Sequence, residues 1–359
     1  MQTQSAAPTS NGLDGVIAAE TRLSLVDGER GELIVAGQRL EQLADRSFEE
    51  VVTLLWDAAG APGAQACCAA IPCATSELLR DAARRRVEPM DALRMATGTL
   101  TASGDVAAAQ LLVGSFPTIV ASYARLLRGE EPIAPRADLG LAANYLLMST
   151  GAEPHAELVH GLNVYLTTVA DHGLNASTFT ARVIASTGAD FVSAVTGAIG
   201  ALKGPLHGGA PGPALDMVFE IGDAGRAEAV LRGKIERGER LMGFGHRVYK
   251  VRDPRADVLG IAAARMFARA GDMRLYELAR AVETTALRLL EEYKPSRRLQ
   301  TNVEFYTALL LHGLGIDTAF FTPTFALGRV AGWTAHCFEQ RALGRLIRPQ
   351  SRYVGRRPA

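Results

Sequence analysis

AELVHGLNVYLTTVADHGLNASTFTARVIASTGADFVSAVTGAIGALKG, residues 156–204, carries two long helical patterns joined at a short turn. Gly, Ala and Ser are frequent in the second, which lets helices approach closely and suits core or subunit-interface helices. Outward from this stretch the same 3.6-residue periodicity continues, with Ala, Leu and Arg abundant and β-branched runs scarce. The chain therefore reads as mainly α. One exception lies near the start, where apolar and polar residues alternate on both sides of Asp27-Gly28, the pattern of a small β-hairpin.

Several local signals punctuate the helices. Ser47 with Glu50 three residues on predicts a capped helix start in RSFEEVVTLLW. The Gly-, Pro-, Ala- and Cys-rich stretch 61–77 reads as a loop. VAAAQLLVGSFPTIVASYA, residues 106–124, suits a buried helix broken near Pro117 better than a membrane span. GPLHGGAPGPA, residues 204–214, is a sharp break and a candidate hinge, followed by helical segments over about 214–318.

Composition narrows the function. The 359 residues include 38 basic and 38 acidic side chains, so no global field recruits nucleic acid or an anionic membrane. The polar start MQTQSAAPTSNG lacks the apolar core of a signal peptide and reads as a disordered leader, which points to a cytoplasmic protein. The four cysteines, three of them in CCAAIPC, form neither paired CxxC spacing nor a disulfide framework, so reduced thiols are expected.

Three of the seven histidines sit in Gly-rich turns: His172 in DHGLNAST, His207 in GPLHGGAPG and His246 in GFGHRVYK. Glycine beside histidine lets a ligand reach the imidazole and the neighbouring amides together. Their spacing matches no metal-ligand pattern, and His155 and His160 stand five residues apart, off one helical face, so no metal is assigned. HRVYKVRDPR places His246, Arg247, Lys250, Arg252 and Arg255 within ten residues, a density suited to a polyanionic ligand. Arg329 in GRVAGW and Arg348 in the basic C-terminal stretch add cations, and Pro349 holds Arg348 in an extended turn. In TNVEFYTALLL, residues 301–311, Glu304 stands before an apolar run. Thr301-x-x-Glu304 fits a capping box, and a carboxylate at a buried helix start also fits a tuned base. Imidazoles, arginines and one such carboxylate suit proton abstraction beside a carbonyl followed by carbon–carbon bond formation.

DHGLNASTF, GPLHGGAP, MGFGHRVYKVRDPRA, NVEFYTALLL, GRVAGWTAH and IRPQSRYVG occur in an order and spacing that resembles the citrate synthase family, over about Gly12 to Gly355. The resemblance implies a mainly α, two-domain homodimer: a leader over 1–12, a large domain over 13–209 and 318–359, and a small CoA-binding domain over 210–317. It implies acetyl-CoA and oxaloacetate as reactants, with no permanently bound cofactor. It also implies His207, His246 and Glu304 as catalytic groups, and His172, Arg255 and Arg329 as oxaloacetate contacts. Arg348 would reach in from the partner subunit. Gly243, Phe244 and Gly245 would surround the adenine, Lys250 would meet a phosphate, and Asn302 would lie beside the acyl group. Propionyl-CoA and 2-methylcitrate are the alternative chemistry, and a catalytically idle CoA- or dicarboxylate-binding paralogue is a second alternative. The chain lacks the additional N-terminal region of the longer hexameric members, so inhibition by NADH is not expected.

One departure concerns the base. Where the family's usual pattern reads Asn-Val-Asp, this chain has Asn302-Val303-Glu304. The extra methylene would displace the carboxylate by about an ångström on an unshifted backbone, a misplacement that can cost ~100-fold in rate.

Overall fold

The computed structural model describes residues 11–13, 15–208 and 211–356. Apart from Asn11 and Gly12, the leader expected over 1–12 lies outside the described residues. Fifteen α-helices and one three-stranded sheet are found among them. Strands β1 (Ser24–Asp27) and β2 (Glu32–Val35) form the expected hairpin, paired Ser24 with Val35 and Asp27 with Glu32. The Asp27 carboxylate accepts from the Glu29 and Arg30 amides and closes the turn. A third strand not anticipated from the sequence, β3 (Gln38–Arg39), pairs with β2. Two residues are too few to show alternation.

The helix Phe321–Leu343 is the axis of the molecule. It packs against the helices Phe48–Ala58, Asp105–Leu127, Ala156–Val169, Ala176–Ser186 and Phe191–Leu202. Surrounded in this way, it buries residues on every face, among them Leu327, Val330, Trp333 and Cys337, and so has no polar stripe. Trp56 ties one neighbour to it by an indole hydrogen bond to Thr334 Oγ1 at 2.9 Å. The Ser47 cap forms as expected, with Glu50 reciprocating in a full capping box.

Three local expectations are corrected. Asp105–Leu127 is one unbroken helix with Pro117 inside it. Its middle is buried, and a crossing segment splints it: the Ala69 amide donates to the Gly114 carbonyl, and the Thr118 hydroxyl donates to the Ala69 carbonyl. Tertiary packing thus offsets the bond that proline cannot make. The stretch expected as loop over 61–77 ends early, because Cys73–Arg84 is helical and buries Thr75, Leu79 and Ala82 on one face. The break expected over 204–214 is also shorter, since a helix starts at Pro211. Pro211 and Pro213 both fall in its first turn, where no intrahelical N–H is needed. The helix Pro254–Ala270 then lies against both Ala156–Val169 and Val303–Gly313, which brings the loops before residues 172, 254 and 303 together.

Candidate active site

Glu304 sits in the first turn of Val303–Gly313, but the capping box read from Thr301 and Glu304 does not form. Asn302 is the cap, its Oδ1 accepting from the Glu304 amide at 3.0 Å. The Thr301 hydroxyl instead donates to buried Glu283 at 2.8 Å. The register therefore lies one residue later than the box requires, on the better capping residue. The Glu304 carboxylate is left without a hydrogen bond or ion pair among the described residues. Burial raises its pKa to about 7, against the opposing pull of Arg255 and with the help of Asp253.

His246 has its tautomer set by the backbone. Its Nδ1 accepts from the Val248 and Tyr249 amides, each at 3.1 Å, so in the neutral ring the proton resides on Nε2. Burial, followed by the Arg255 charge, lowers its pKa to about 4. Nε2 lies 3.4 Å from an Arg255 guanidinium nitrogen. Both groups are donors, so together they suit an oxygen acceptor.

His207 is arranged in the opposite sense. Its Nε2 faces the Ser177 hydroxyl at 2.8 Å and the Ser177 amide at 3.4 Å. An amide can only donate, so Nε2 is the acceptor and the proton lies on Nδ1. Trp333 Nε1 donates to the same Ser177 oxygen at 3.1 Å and fixes it. Burial and then Arg329 lower the His207 pKa to about 4. A Cβ at Gly208 would overlap the Leu202 carbonyl, so the glycine beside His207 is required by the chain's own packing as well.

His172 packs edge-on against His246, with ring centroids 5.6 Å apart, and its Nε2 is 3.2 Å from the Tyr249 hydroxyl. Burial, then Arg255 and Arg329, hold it well below the usual imidazole range. Arg255 is buried and paired in bidentate fashion with Asp253, at 3.0 and 2.8 Å. Asp253 also accepts from the Val303 amide at 3.2 Å and so ties Arg255 to the start of the Glu304 helix. Arg329 is 2% exposed, donates to the Val169 carbonyl and stacks on Phe325, yet forms no close ion pair among the described residues, with Asp171 acting on it from longer range. Burial lowers its pKa to about 10, which leaves it charged at neutral pH. Electrostatically, Arg255 acts on Glu304, His246 and His172, and Arg329 acts on His207 and His172. Two buried guanidinium groups beside three neutral imidazoles have the chemistry that suits a small dicarboxylate.

The loop Gly243–Gly245 is pinned to residues 300–302 beside Glu304. Gly243 O accepts from the Asn302 amide at 2.9 Å, and the Gly245 amide donates to Gln300 at 2.7 Å. Asn302 donates from its side-chain amide to the Gly245 carbonyl at 2.8 Å while its oxygen caps the helix, so both ends serve the backbone. Phe244 packs on Phe305. Lys250 is exposed and donates to the Arg247 carbonyl. Arg348 is exposed on the C-terminal stretch, with no hydrogen bond or ion pair to the other site residues among the described residues. No group of His, Cys, Asp and Glu among the described residues is placed to hold a metal ion.

Sequence reasoning missed Ser177, Trp333, Tyr249 and Asp253. Only Asp253 had a local signal, an acid before a Pro-initiated helix and two residues from Arg255.

Comparison with known proteins agrees with this architecture. The family described as citrate synthase, C-terminal domain, matches residues 12–350. A citrate synthase of Haloferax volcanii is 38% identical over 96% of this chain and 95% of its own. A 2-methylcitrate synthase of Mycobacterium tuberculosis is 37% identical, over 96% and 90%. The crystal structure of citrate synthase from Pyrobaculum aerophilum superposes with a TM-score of 0.88 at 34% identity, covering 100% of this chain and 98% of that one. Fold and site together define an enzyme of the acyl-condensing class. The chain belongs to the citrate synthase family.

Proposed function

We propose that this chain condenses acetyl-CoA with oxaloacetate and hydrolyses the citryl thioester to citrate and CoA. The observation that carries the residue assignments is the opposed pair His207 and His246. Each is neutral at pH 7, with its free N–H placed by a backbone amide on the other nitrogen. Such rings can donate to oxygens that gain charge without adding a cation to the site.

Glu304 removes a proton from the methyl carbon of the acetyl thioester. His207 Nδ1–H donates to the thioester oxygen as the enol forms. The enol carbon attacks the keto carbon of oxaloacetate, and His246 Nε2–H delivers its proton to the keto oxygen. Water then cleaves the thioester. Arg255, Arg329 and His172 hold the oxaloacetate carboxylates. Gly243, Phe244, Gly245 and Lys250 receive CoA, and Asn302 acts through the loop it braces. The domains are assigned to 13–209 with 318–359 and to 210–317, closing over the cleft to exclude water. The working form is a cytoplasmic homodimer in which Arg348 of one protomer serves the site of its partner.

The relative named 2-methylcitrate synthase supports propionyl-CoA as a second acyl donor, since it is nearly as similar as the citrate synthase. One methylene alters discrimination by only about 1–3 kcal/mol. The test follows CoA thiol release from acetyl-CoA and from propionyl-CoA, each with oxaloacetate. Turnover with a higher kcat/KM for acetyl-CoA is expected. A reversed ratio would assign 2-methylcitrate synthesis, and no turnover with either would leave a binding paralogue.

A further inference from the structure

The N-terminal hairpin touches the site at two places four residues apart. At Ser24, the hydroxyl oxygen accepts from the Gly173 amide at 2.8 Å, and the hydroxyl faces the buried Asp171 carboxylate, whose ionised form it favours. These two residues flank His172. Val26 adds a methyl group beneath Gly173. At the turn, the Gly28 carbonyl accepts from the Lys250 amide at 2.9 Å. A Cβ at Gly28 would overlap the Val248 carbonyl, although Gly28 is not in the left-handed region. Val248 and Tyr249 are the residues whose amides fix His246.

One strand therefore grips the loops of both imidazoles. Those loops are otherwise far apart in sequence, and between them the direct contacts are the ring packing of His172 on His246 and Tyr249 and the His172–Tyr249 hydrogen bond. Aromatic edges slide easily, whereas directional hydrogen bonds at both ends of a paired strand, one to the Ser24 hydroxyl and one to the Gly28 carbonyl, do not. We infer that strand β1 and its turn act as a ruler that sets the spacing of His172 and His246, with Ser24 and Gly28 as positioning residues for oxaloacetate. The inference rests on the reading of the site given above.

The test uses full-length Gly28→Ala, Ser24→Ala and Ser24→Thr, with Glu29→Ala, exposed in the same turn, as the control. Steady-state thiol release measures the KM of each substrate. Because a displacement of about an ångström is costly, Gly28→Ala raises the oxaloacetate KM about tenfold or more, and the acetyl-CoA KM is read in Ser24→Ala, whose bond does not involve Lys250, where it stays within about twofold. Ser24→Ala behaves similarly, and Ser24→Thr, which keeps the hydroxyl, recovers most of the loss. A purely structural role would lower the active fraction, and hence apparent kcat, with KM unchanged. An oxaloacetate KM within about twofold of wild type in both Gly28→Ala and Ser24→Ala overturns the inference. Absence of turnover in the wild type would refute the site reading instead. In that case nitrogen NMR of labelled histidines decides: the ruler requires the His172 and His246 imidazole resonances to move in Gly28→Ala while those of His207 stay, and unchanged spectra overturn it.

Discussion

The Ser177 amide faces His207 Nε2 at 3.4 Å and, since it can only donate, assigns the proton of the neutral ring to Nδ1. The donor aimed at substrate is then Nδ1–H. His207→Ala is expected to lower kcat about 100- to 1000-fold with a small change in KM, since the bond it removes strengthens only as the oxyanion forms. Ser177→Ala, which keeps the amide but frees the ring, is expected to lower kcat by about tenfold. A KM effect alone in His207→Ala would refute the role.

Arg329 is a buried cation that forms no close ion pair among the described residues, the Asp171 carboxylate drawing on it only from longer range. Burial of such a group costs stability, which bound substrate offsets. Arg329→Met should raise the Tm of the ligand-free protein by a few degrees while raising the oxaloacetate KM about 100-fold or more. Differential scanning calorimetry with steady-state kinetics checks both halves. An unchanged oxaloacetate KM would remove Arg329 from the binding set.

The pKa of Glu304, raised by burial to about 7, makes activity dependent on pH. The base must be ionised, so kcat/KM should fall tenfold per pH unit below about pH 7 and level off above it. His207 and His246, with pKa values lowered to about 4, stay neutral across that window. The effect on stability has the opposite direction. The unfolded carboxyl ionises near 4.5 and the folded one near 7, so the stabilising contribution is full below 4.5 and is lost as pH rises through about 7. Glu304→Gln should therefore be more stable than wild type at pH 8, by up to about 3 kcal/mol, and nearly equal to it at pH 4. Denaturant titrations at the two pH values measure this.

Glu304→Asp retracts the carboxylate by about an ångström from the helix start on which this chain holds a glutamate. It is expected to lower kcat about tenfold or more. A rise in kcat instead would mean that the site is built for the shorter side chain.

What the sequence revealed was mostly local. The Ser47–Glu50 box and the Asp27–Gly28 hairpin formed because each depends on residues at most eleven positions apart. Pro117 was misread because segment 67–69, far away in sequence, docks over its turn. Thr301 was misread because Glu283, eighteen residues earlier, claims its hydroxyl. His172, His207 and His246 stood out through their glycine neighbours. Ser177 and Trp333, which give His207 its tautomer, did not, since a serine and a tryptophan 156 residues apart leave no periodic trace. Arg348 stood out through the proline that follows it, but only the resemblance gave it a role, and in a single chain it lies on the exposed C-terminal stretch.

The central claim is that this chain carries out carbon–carbon condensation with Glu304 as the base. Its most direct measurement is thiol release from acetyl-CoA and oxaloacetate by wild type and Glu304→Gln at pH 8. The expected result is steady turnover by wild type and a kcat about 100- to 10,000-fold lower in the variant, with the acetyl-CoA KM little changed. A Glu304→Gln protein that kept most of the wild-type rate would contradict the account and leave Glu304 with no more than a structural place at the helix start.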